Sequence, residues 1–289
     1  ALPVSARAQA RAPRHSTADA LTGRRPIPGA VMVPPAFRRA IANGTRTRTG
    51  APGPRNWVQH ARYSIDASID PATNTLSGRE RVVYLNNSPD TLTELAVYLR
   101  QNVFRAGSPR RDEAPTTDGM TLTRVDYSGK ALEAKPDVDA LRSGSPGYAV
   151  DATVMWLVPP APVLPHDSAT LDFAWSYIPA LTPSDGREGR DEHLYFMGYW
   201  YPQIAVYDDV NGWMADPYLL EAEFYMDPAD YDVRVTAPRG WVVGATGTLR
   251  NADAVLSASA RAKLAQARRT GRVVTSSKPD DGAAAFASP

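Results

Sequence analysis

The fold is decided by residues 63–85, which read YSIDASIDPATNTLSGRERVVYL. Every second residue at the start of this stretch is apolar, and a period of two is typical of a β-strand with one buried face. These apolar residues are Tyr63, Ile65, Ala67 and Ile69. Residues 70–74, DPATN, favour a turn, and the segment that follows is again rich in apolar residues. The stretch therefore predicts a β-hairpin.

Short segments of the same kind, separated by turn residues, recur along the chain. The clearest is residues 171–177, LDFAWSY, in which large apolar residues alternate with small or polar ones. The other predicted strands are residues 92–99, 121–132, 152–158, 219–226, 231–236 and 241–249. Between these predicted strands, no long run of apolar residues occurs at helical spacing. We therefore predict a mostly β fold, an antiparallel and saddle-like β-sandwich.

The two ends of the chain differ from its middle. Residues 1–56 are rich in Pro and Arg and predict a disordered extension that contains one short helix at residues 36–42. In residues 251–289, apolar residues at helical spacing predict a short helix before a linker-like tail. These apolar residues are Leu256, Ala260, Leu264 and Ala267. Residues 57–250 remain as the predicted β domain.

The first ten residues contain a pattern typical of exported proteins. Residues 8–10, Ala-Gln-Ala, match the small-x-small site of a signal peptidase, although no charged segment or full apolar run precedes them. We interpret them as the remnant of a signal peptide, which predicts a periplasmic or secreted protein; an Ala-rich disordered tail is the alternative. At the other end, the chain stops at Pro289 without a closing element. We expect it to be part of a longer protein.

Composition narrows the function classes. The formal net charge of +1 gives no reason to expect a nucleic-acid partner. No segment approaches the ~20 consecutive apolar residues that a membrane helix needs, so no membrane span is predicted. The sequence contains no cysteine, which excludes disulfides and thiolate metal sites.

Local catalytic motifs are missing from the sequence. The four histidines lie far apart, and no His-Glu-x-x-His helix exists to place two imidazoles on one face. They are His15, His60, His166 and His193. There is no Gly-x-Ser-x-Gly elbow, and no Gly-rich phosphate loop precedes a helix. We therefore predict no catalytic residue, no metal ligand and no cofactor in this chain.

Residues 199–213, YWYPQIAVYDDVNGW, concentrate aromatic side chains in front of an acidic turn. The rings are compatible with a stacking platform for a sugar or a peptide. Large rings more often stabilise a core, however, and the alternation of residues 200–206 fits a strand with one buried face. We interpret the segment as a core strand that leads into an acidic turn.

Two long segments in a fixed order carry a family resemblance. Residues 63–105 contain a strand, a turn, a Gly-x-x-x-Val strand and a Leu-x-x-Leu-x-Val-x-Leu run. Residues 200–249 contain a Tyr-Pro element, an acidic loop, two predicted strands and a Val-Gly-Ala-Thr-Gly strand. Together they resemble the N-terminal domain of the alanyl-aminopeptidase-type zinc metallopeptidases (gluzincins), in particular a bacterial branch. The resemblance extends over residues 57–250.

The resemblance implies that the parent protein is a zinc-dependent aminopeptidase, which removes residues from the N-terminus of a peptide. In this family the zinc is bound in a separate catalytic domain, by a His-Glu-x-x-His helix and a later Glu. A Gly-x-Met-Glu-Asn-type loop of that domain binds the substrate amine. None of these motifs occurs here. The chain alone is therefore expected to be inactive, with the missing catalytic domain as its partner and zinc as the cofactor of that domain.

The resemblance also implies a contribution to the substrate pocket. In the family, the loop before the Phe/Tyr-Pro element lends a polar residue to the pocket of the substrate amine. This loop corresponds to residues 189–199, which makes Glu192 the candidate, because a carboxylate pairs with a peptide ammonium group. Tyr199 and Trp200 are expected to form a wall of the same pocket. A freestanding β module that binds carbohydrate or peptide, and a catalytically silent scaffold, remain as alternatives.

Overall fold

A computed structural model of the chain describes residues 32–181, 188–192, 194–221, 225–272 and 286–288. The predicted signal-peptide remnant and most of the predicted extension lie outside these residues. The strands are β1 (His60–Asp70), β2 (Thr75–Leu85), β3 (Leu95–Tyr98), β4 (Thr121–Tyr127), β5 (Lys130–Ala131), β6 (Glu133–Ala134), β7 (Gly147–Asp151), β8 (Val154–Val158), β9 (Ser168–Tyr177), β10 (Glu188–Arg190), β11 (Tyr195–Met197), β12 (Gln203–Ile204), β13 (Val206–Asp208), β14 (Gly212–Met214), β15 (Ala229–Thr236), β16 (Gly244–Thr246) and β17 (Phe286–Ser288). The helices are α1 (Pro35–Asn43), α2 (Val138–Ser143), α3 (Ala252–Val255) and α4 (Ala258–Thr270).

The predicted hairpin is confirmed as the antiparallel pair β1 and β2, in which Tyr63 lies opposite Val82. Side chains of β1 alternate between buried and exposed, as the period of two predicts. The turn is closed by Asp70, whose carboxylate accepts a hydrogen bond from the backbone N–H of Ala72 at 2.9 Å. Asn74 takes the left-handed conformation at φ 54°, which Asn tolerates better than most residues.

The hairpin is the centre of a six-stranded sheet in the order β15-β1-β2-β9-β4-β5. A second sheet has the order β12-β3-β8-β7-β6. Residues of both sheets form one apolar cluster, so the predicted mostly β sandwich is confirmed. Strand β3 is buried on both faces, because a second, smaller cluster that contains Ala96 and Tyr98 covers its other side.

The sheets are mixed, whereas the sequence predicted antiparallel ones. β15 pairs in parallel with β1, and β6 pairs in parallel with β7. A tight turn between consecutive strands forces antiparallel pairing, but a long connection allows either direction. β15 returns to the first strand of the sheet from far along the chain, so local pattern alone could not give its direction.

The helical segment near the C-terminus is confirmed. Helix α4 begins after Ser257, whose hydroxyl accepts a hydrogen bond from the N–H of Ala260 at 3.1 Å, and it ends at Gly271 with φ 62°. At the other end of the chain, α1 covers the short helix predicted in the extension. The segment after α1 is fixed by Arg46, whose guanidinium donates hydrogen bonds to both oxygens of Asp209 at 2.6–3.0 Å.

Two strand predictions were wrong in extent. The described part of residues 219–226 forms no strand, and residues 222–224 lie outside the described part. Leu220 has a φ of 75°, which is incompatible with a β-strand. Only Gly244–Thr246 of predicted strand 241–249 is extended and paired. Apolar composition favoured strands at both places, but it does not report backbone conformation.

One glycine of the hairpin is required by a close approach. A Cβ atom at Gly78 would lie 2.2 Å from Cζ2 of Trp175, which is far inside van der Waals contact. Trp175 lies on the neighbouring strand β9, directly opposite Gly78, and its ring is buried in the main core. The missing side chain at position 78 is therefore what allows the indole to lie flat against β2.

We predict that Gly78→Ala lowers the free energy of unfolding by about 1–3 kcal/mol, because the added methyl group overpacks the core beside Trp175. Equilibrium denaturation with urea, followed by tryptophan fluorescence, measures the change. Gly244→Ala is the matched control, since a Cβ there meets no atom within 4 Å. Equal effects of the two substitutions would contradict the packing argument.

Candidate functional site

The candidate site is built around residues 199–203, which connect the hairpin of β10 and β11 to the second sheet, the one that contains β3 and β12. Tyr199 has φ 47°, a strained value for a bulky aromatic residue. Gln203 then pairs with Tyr98 of β3, and this pairing fixes the end of the segment in the second sheet. The next residue, Ile204, donates a hydrogen bond from its backbone N–H to the hydroxyl of Tyr63 of β1 at 3.2 Å. The segment is therefore attached to both sheets.

A buried carboxylate lies beside this segment. Glu188, the first residue of β10, is only 5% exposed. Its carboxylate accepts hydrogen bonds from Nε2 of Gln101 at 2.5 Å and from the hydroxyl of Tyr218 at 3.2 Å. The same Gln101 amide approaches the carbonyl oxygen of Tyr199 at 3.3 Å. Glu188 thus holds the side-chain amide of Gln101, which contacts the strained backbone of Tyr199.

A buried guanidinium lies on the other side of the segment. Nη1 of Arg100 donates to Oε1 of Gln203 at 2.5 Å. Its Cζ lies 4.4 Å from the ring centroid of Tyr98 and 5.4 Å from that of Tyr199. Such stacking lets a planar cation be buried between aromatic faces. Burial lowers the pKa of Arg100 from its ordinary value, and the nearby tyrosines and Glu188 oppose that effect.

The position of Glu188 also changes its acidity. Burial raises the pKa of Glu188 from 4.5 to about 7, and hydrogen bonds from Tyr218 and Gln101 and the charge of Arg100 limit the shift. A carboxyl group with a pKa near neutrality is common at functional sites, although structural networks produce it too. Burial therefore favours the protonated form of Glu188 up to a higher pH than for an exposed carboxyl group.

A second buried carboxyl group, Glu80, lies under the aromatic side chains that surround the segment. It points from the centre of β2 into the core, and both of its oxygens are without a hydrogen bond to any described residue. The indole N–H of Trp175 is near enough to lower the pKa of Glu80 slightly, but it makes no hydrogen bond of normal geometry. Burial dominates and raises the pKa of Glu80 well above its ordinary value. Burial thus favours the protonated, uncharged form of Glu80.

The three candidate residues that the sequence singled out lie in different surroundings in the structure. Tyr199 is half-buried and packs edge-to-face on Tyr218 with 5.4 Å between ring centroids. Trp200 packs edge-to-face on Trp175 at 5.9 Å. Glu192 is exposed, and within the described part of the chain it makes no hydrogen bond or ion pair. Tyr199 therefore belongs to the Glu188 cluster, Trp200 packs on the core, and Glu192 is exposed and has no partner among the described residues.

The aromatic block packs largely on itself and on the core. Tyr207 lies against Trp57 in a stacked arrangement and against Trp213 edge-to-face, with 5.8 and 5.1 Å between ring centroids. Trp200 and Tyr201 contact each other at 5.1 Å, and these two rings pack against the main cluster together with Tyr207 and Trp213. The fifth ring, that of Tyr199, packs against a separate small cluster. The acidic turn that follows is closed by Asp208, whose carboxylate accepts from the N–H groups of Val210 and Asn211. This arrangement agrees with the interpretation of the segment as core.

The residues that dominate the site were not found from the sequence. Arg100 and Gln101 follow the apolar run of β3, and Glu188 lies in a charged, Gly-containing segment that reads as a loop. A polar Arg-Gln-Asn run directly after a buried strand is an available signal, because all three side chains are buried. Nothing in the local sequence connects this run to Glu188 or Tyr218, which are brought to it only by the fold.

Within the described part of the chain, no group of three or more His, Asp or Glu side chains is arranged to hold a metal ion. No helix in the described ranges is both long and apolar enough to cross a membrane.

Comparison with known proteins gives likeness at the level of structure. No family model matches the chain, and no curated protein matches it. A variant of the M1 zinc metallopeptidase from Deinococcus radiodurans, bound to a Tyr-Ser-Ala substrate, is 18% identical with a TM-score of 0.32, over 67% of this chain and 36% of that one. A two-domain M1 zinc metallopeptidase variant bound to L-tryptophan is 16% identical with a TM-score of 0.34, over 70% of this chain and 39% of that one. The matched part is thus well under half of these neighbours, and at such scores the likeness assigns no activity.

The pKa of Glu188 predicts a specific pH dependence of stability. Because the folded pKa of about 7 exceeds the ordinary 4.5, the folded state holds a proton that the unfolded state has lost between these values. Stability from this group is complete below pH 4.5 and is lost as the pH rises to about 7, by roughly 3 kcal/mol. We predict that Glu188→Gln removes this pH-dependent loss, as measured by urea denaturation at a series of pH values. Glu192→Gln, in the same hairpin but exposed, is expected to keep the wild-type profile; a loss that persists unchanged in Glu188→Gln would assign it to another group.

Most substitutions in a core destabilise the fold, but the replacement of Glu80 by an apolar residue is expected to stabilise it. Replacement by Met keeps the side-chain length but removes a buried carboxyl group without hydrogen bonds, so we expect Glu80→Met to stabilise the fold by about 1–3 kcal/mol. Because burial raises the pKa of Glu80, the gain should increase as the pH rises above the ordinary value of 4.5. Thermal and urea unfolding at acidic and alkaline pH measure it. Glu113→Met, at an exposed position, is the control, and a destabilised Glu80→Met would show that the carboxyl group has a structural partner.

Proposed function

We propose that this chain is the N-terminal β domain of a bacterial zinc aminopeptidase of the M1 type, and that its role is to support substrate binding. The observation that carries the proposal is the meeting of the two segments in which the sequence resembles that family. Tyr63 of the hairpin accepts the hydrogen bond of Ile204 at 3.2 Å and packs edge-to-face on Tyr201 at 5.6 Å. The two segments thus act as one unit at the candidate site.

Within this proposal, Glu192 is the residue that meets the substrate amine. It is the exposed carboxylate of the loop before Tyr199, and an exposed carboxylate can pair with an ammonium group without first giving up another partner. Glu188 is a positioning residue, because its hydrogen bond to Gln101 supports the backbone of Tyr199 from below. In the same proposal, Tyr199 and Trp200, which are both only partly buried, form the wall of the pocket with the exposed parts of their rings.

Catalysis belongs to another domain in this proposal. Hydrolysis of a peptide bond by a zinc enzyme needs a metal-activated water and a general base, and the sequence contains no His-Glu-x-x-His motif to bind the metal. The proposed partners are therefore the catalytic domain of the same protein and a peptide bound between the two domains. The exposed apolar side chains of Leu181, Leu194 and Phe196, next to the Glu192 loop, suit such a contact. A periplasmic or secreted location is proposed with it.

The test begins with the reading frame beyond Pro289, which is expected to encode a His-Glu-x-x-His helix and a later Glu. In the longer protein, we predict that Glu192→Gln lowers kcat/KM for aminoacyl-anilides by about 10- to 100-fold, mainly through KM, because it removes a charge-assisted hydrogen bond to the substrate amine. Glu113→Gln, also exposed but remote in sequence, is the control. The chain of 289 residues alone is expected to show no turnover.

Two results would overturn this proposal. One is chelator-sensitive hydrolysis of aminoacyl-anilides by the isolated chain, which would place the catalytic centre within it. The other is a reading frame that encodes no metallopeptidase motif. Unchanged kinetics of Glu192→Gln, with a raised KM in Glu188→Gln, would move the amine contact from Glu192 to Glu188 and keep the rest of the proposal.

A further inference from the structure

The edge strand β15 leaves an apolar stripe uncovered. Its residues lie in register with β1, so that Tyr231, Val233 and Val235 continue the core-facing rows of Tyr63, Ile65 and Ala67. The three residues of β1 are at most 5% exposed, whereas Tyr231, Val233 and Val235 are 46%, 42% and 44% exposed. The core-facing side of the six-stranded sheet therefore continues onto β15, where its apolar side chains are left partly exposed.

The backbone edge of β15 is open as well. One side of the strand pairs with β1 over eight residues, and no other described strand pairs with its opposite side. Natural edge strands are usually protected by charged side chains, Pro, a bulge or a short length. The sequence of β15, ADYDVRVT, contains no Pro, and its pairing with β1 runs without a shift of register. Its three charged residues, Asp230, Asp232 and Arg234, all lie on the solvent face of the sheet. Such an edge is suited to accept another strand.

The charges of β15 complement a second copy of the same strand. On the solvent face, Asp232 and Arg234 flank the position of Val233, and Arg234 also donates a hydrogen bond to Asp66 of β1 at 2.9 Å. In an antiparallel pair with Val233 opposite itself, Asp232 of each copy lies opposite Arg234 of the other, and Tyr231 lies opposite Val235. Opposite charges and apolar pairs at directly opposed positions both stabilise a sheet. The strand is thus complementary to itself in this register.

Other symmetric registers are unfavourable. A two-fold axis at Asp232 or at Arg234 places like charges directly opposite each other, and an axis at Tyr231 places Asp230 opposite Asp232. An axis between two residues turns apolar side chains of one copy to the charged face of the other. The register with Val233 on the axis avoids both faults and keeps seven of the eight residues of β15, residues 230–236, opposed.

We infer that two copies of this chain associate antiparallel through the free edge of β15, with Val233 on the two-fold axis. The contact is isologous, so it closes as a dimer and does not propagate. It joins the two exposed apolar stripes into one row and extends each six-stranded sheet into a continuous sheet of twelve strands, two times the six of one copy. A contact of this kind is small, so the dimer is in equilibrium with the monomer. The inference is independent of the aminopeptidase proposal, because it uses only β15 and β1.

Single cysteines test the register, since the chain has no cysteine of its own. Directly opposed residues have Cβ atoms ~4.5–5.5 Å apart, so Val233→Cys can form a disulfide across the axis with a small adjustment. Two copies of Val235→Cys lie four residues apart along the strands, or roughly 13 Å, and cannot. We expect Val233→Cys to cross-link on mild oxidation at least about tenfold faster than Val235→Cys, whose exposure is nearly equal. Equal rates, or faster cross-linking through position 235, would overturn the inferred register.

Sedimentation velocity of the unmodified chain tests association itself. We expect the mass to rise with concentration from 31.3 kDa towards twice that value. Asp232→Arg should shift the equilibrium to monomer, because it places like charges opposite each other, and the double variant Asp232→Arg with Arg234→Asp should restore the dimer. Circular dichroism confirms that each variant is folded. A monomer at every concentration, as expected where another segment or another protein covers β15, overturns the inference.

Discussion

The buried guanidinium of Arg100 is the constraint on which the candidate site depends. A cation removed from water needs partners on every side, and each partner fixes a different part of the chain. Its hydrogen bond to Gln203 fixes the end of residues 199–203, and the rings of Tyr98 and Tyr199 enclose its faces. The charge of Glu188 lies near enough to oppose the lowering of its pKa. Four elements of the fold thus meet at one side chain.

The elements that could be predicted from the sequence are those whose signal is local. The alternation of Tyr63, Ile65 and Ala67 with polar residues gave β1, and the turn residues after Asp70 gave its pairing with β2. Helix α4 followed from apolar spacing and from a Gly at its end. In each case the residues that decide the element lie within about a dozen positions of one another, which is the range over which periodicity and turn chemistry act.

The features that escaped prediction depend on contacts between distant parts of the chain. The parallel pairing of β15 with β1 joins residues more than 160 positions apart, as the register of Ser64 with Asp232 shows. In the sequence, Glu188 is one of several carboxylates in a segment that resembles a loop. Only the fold brings Gln101 and Tyr218 close enough to donate hydrogen bonds to it. In the candidate site, Tyr199, Trp200 and Glu192 came from a resemblance between segments, and the groups that support Tyr199 came only from the fold.

The costly features of this domain are unevenly distributed, and their distribution is an argument for function. A buried carboxyl group without hydrogen bonds, a second carboxyl group with its pKa raised to about 7, a buried guanidinium and an aromatic residue with positive φ are each unfavourable by themselves. They are Glu80, Glu188, Arg100 and Tyr199. Tyr199 is the first residue of the segment 199–203, and Arg100 donates a hydrogen bond to its last residue, Gln203. Glu188 acts on the segment through Gln101, and Glu80 lies near enough to Tyr201 to raise its pKa. A segment needed only for stability gains nothing from such neighbours, whereas a binding pocket requires polar groups that are held in place before the ligand arrives.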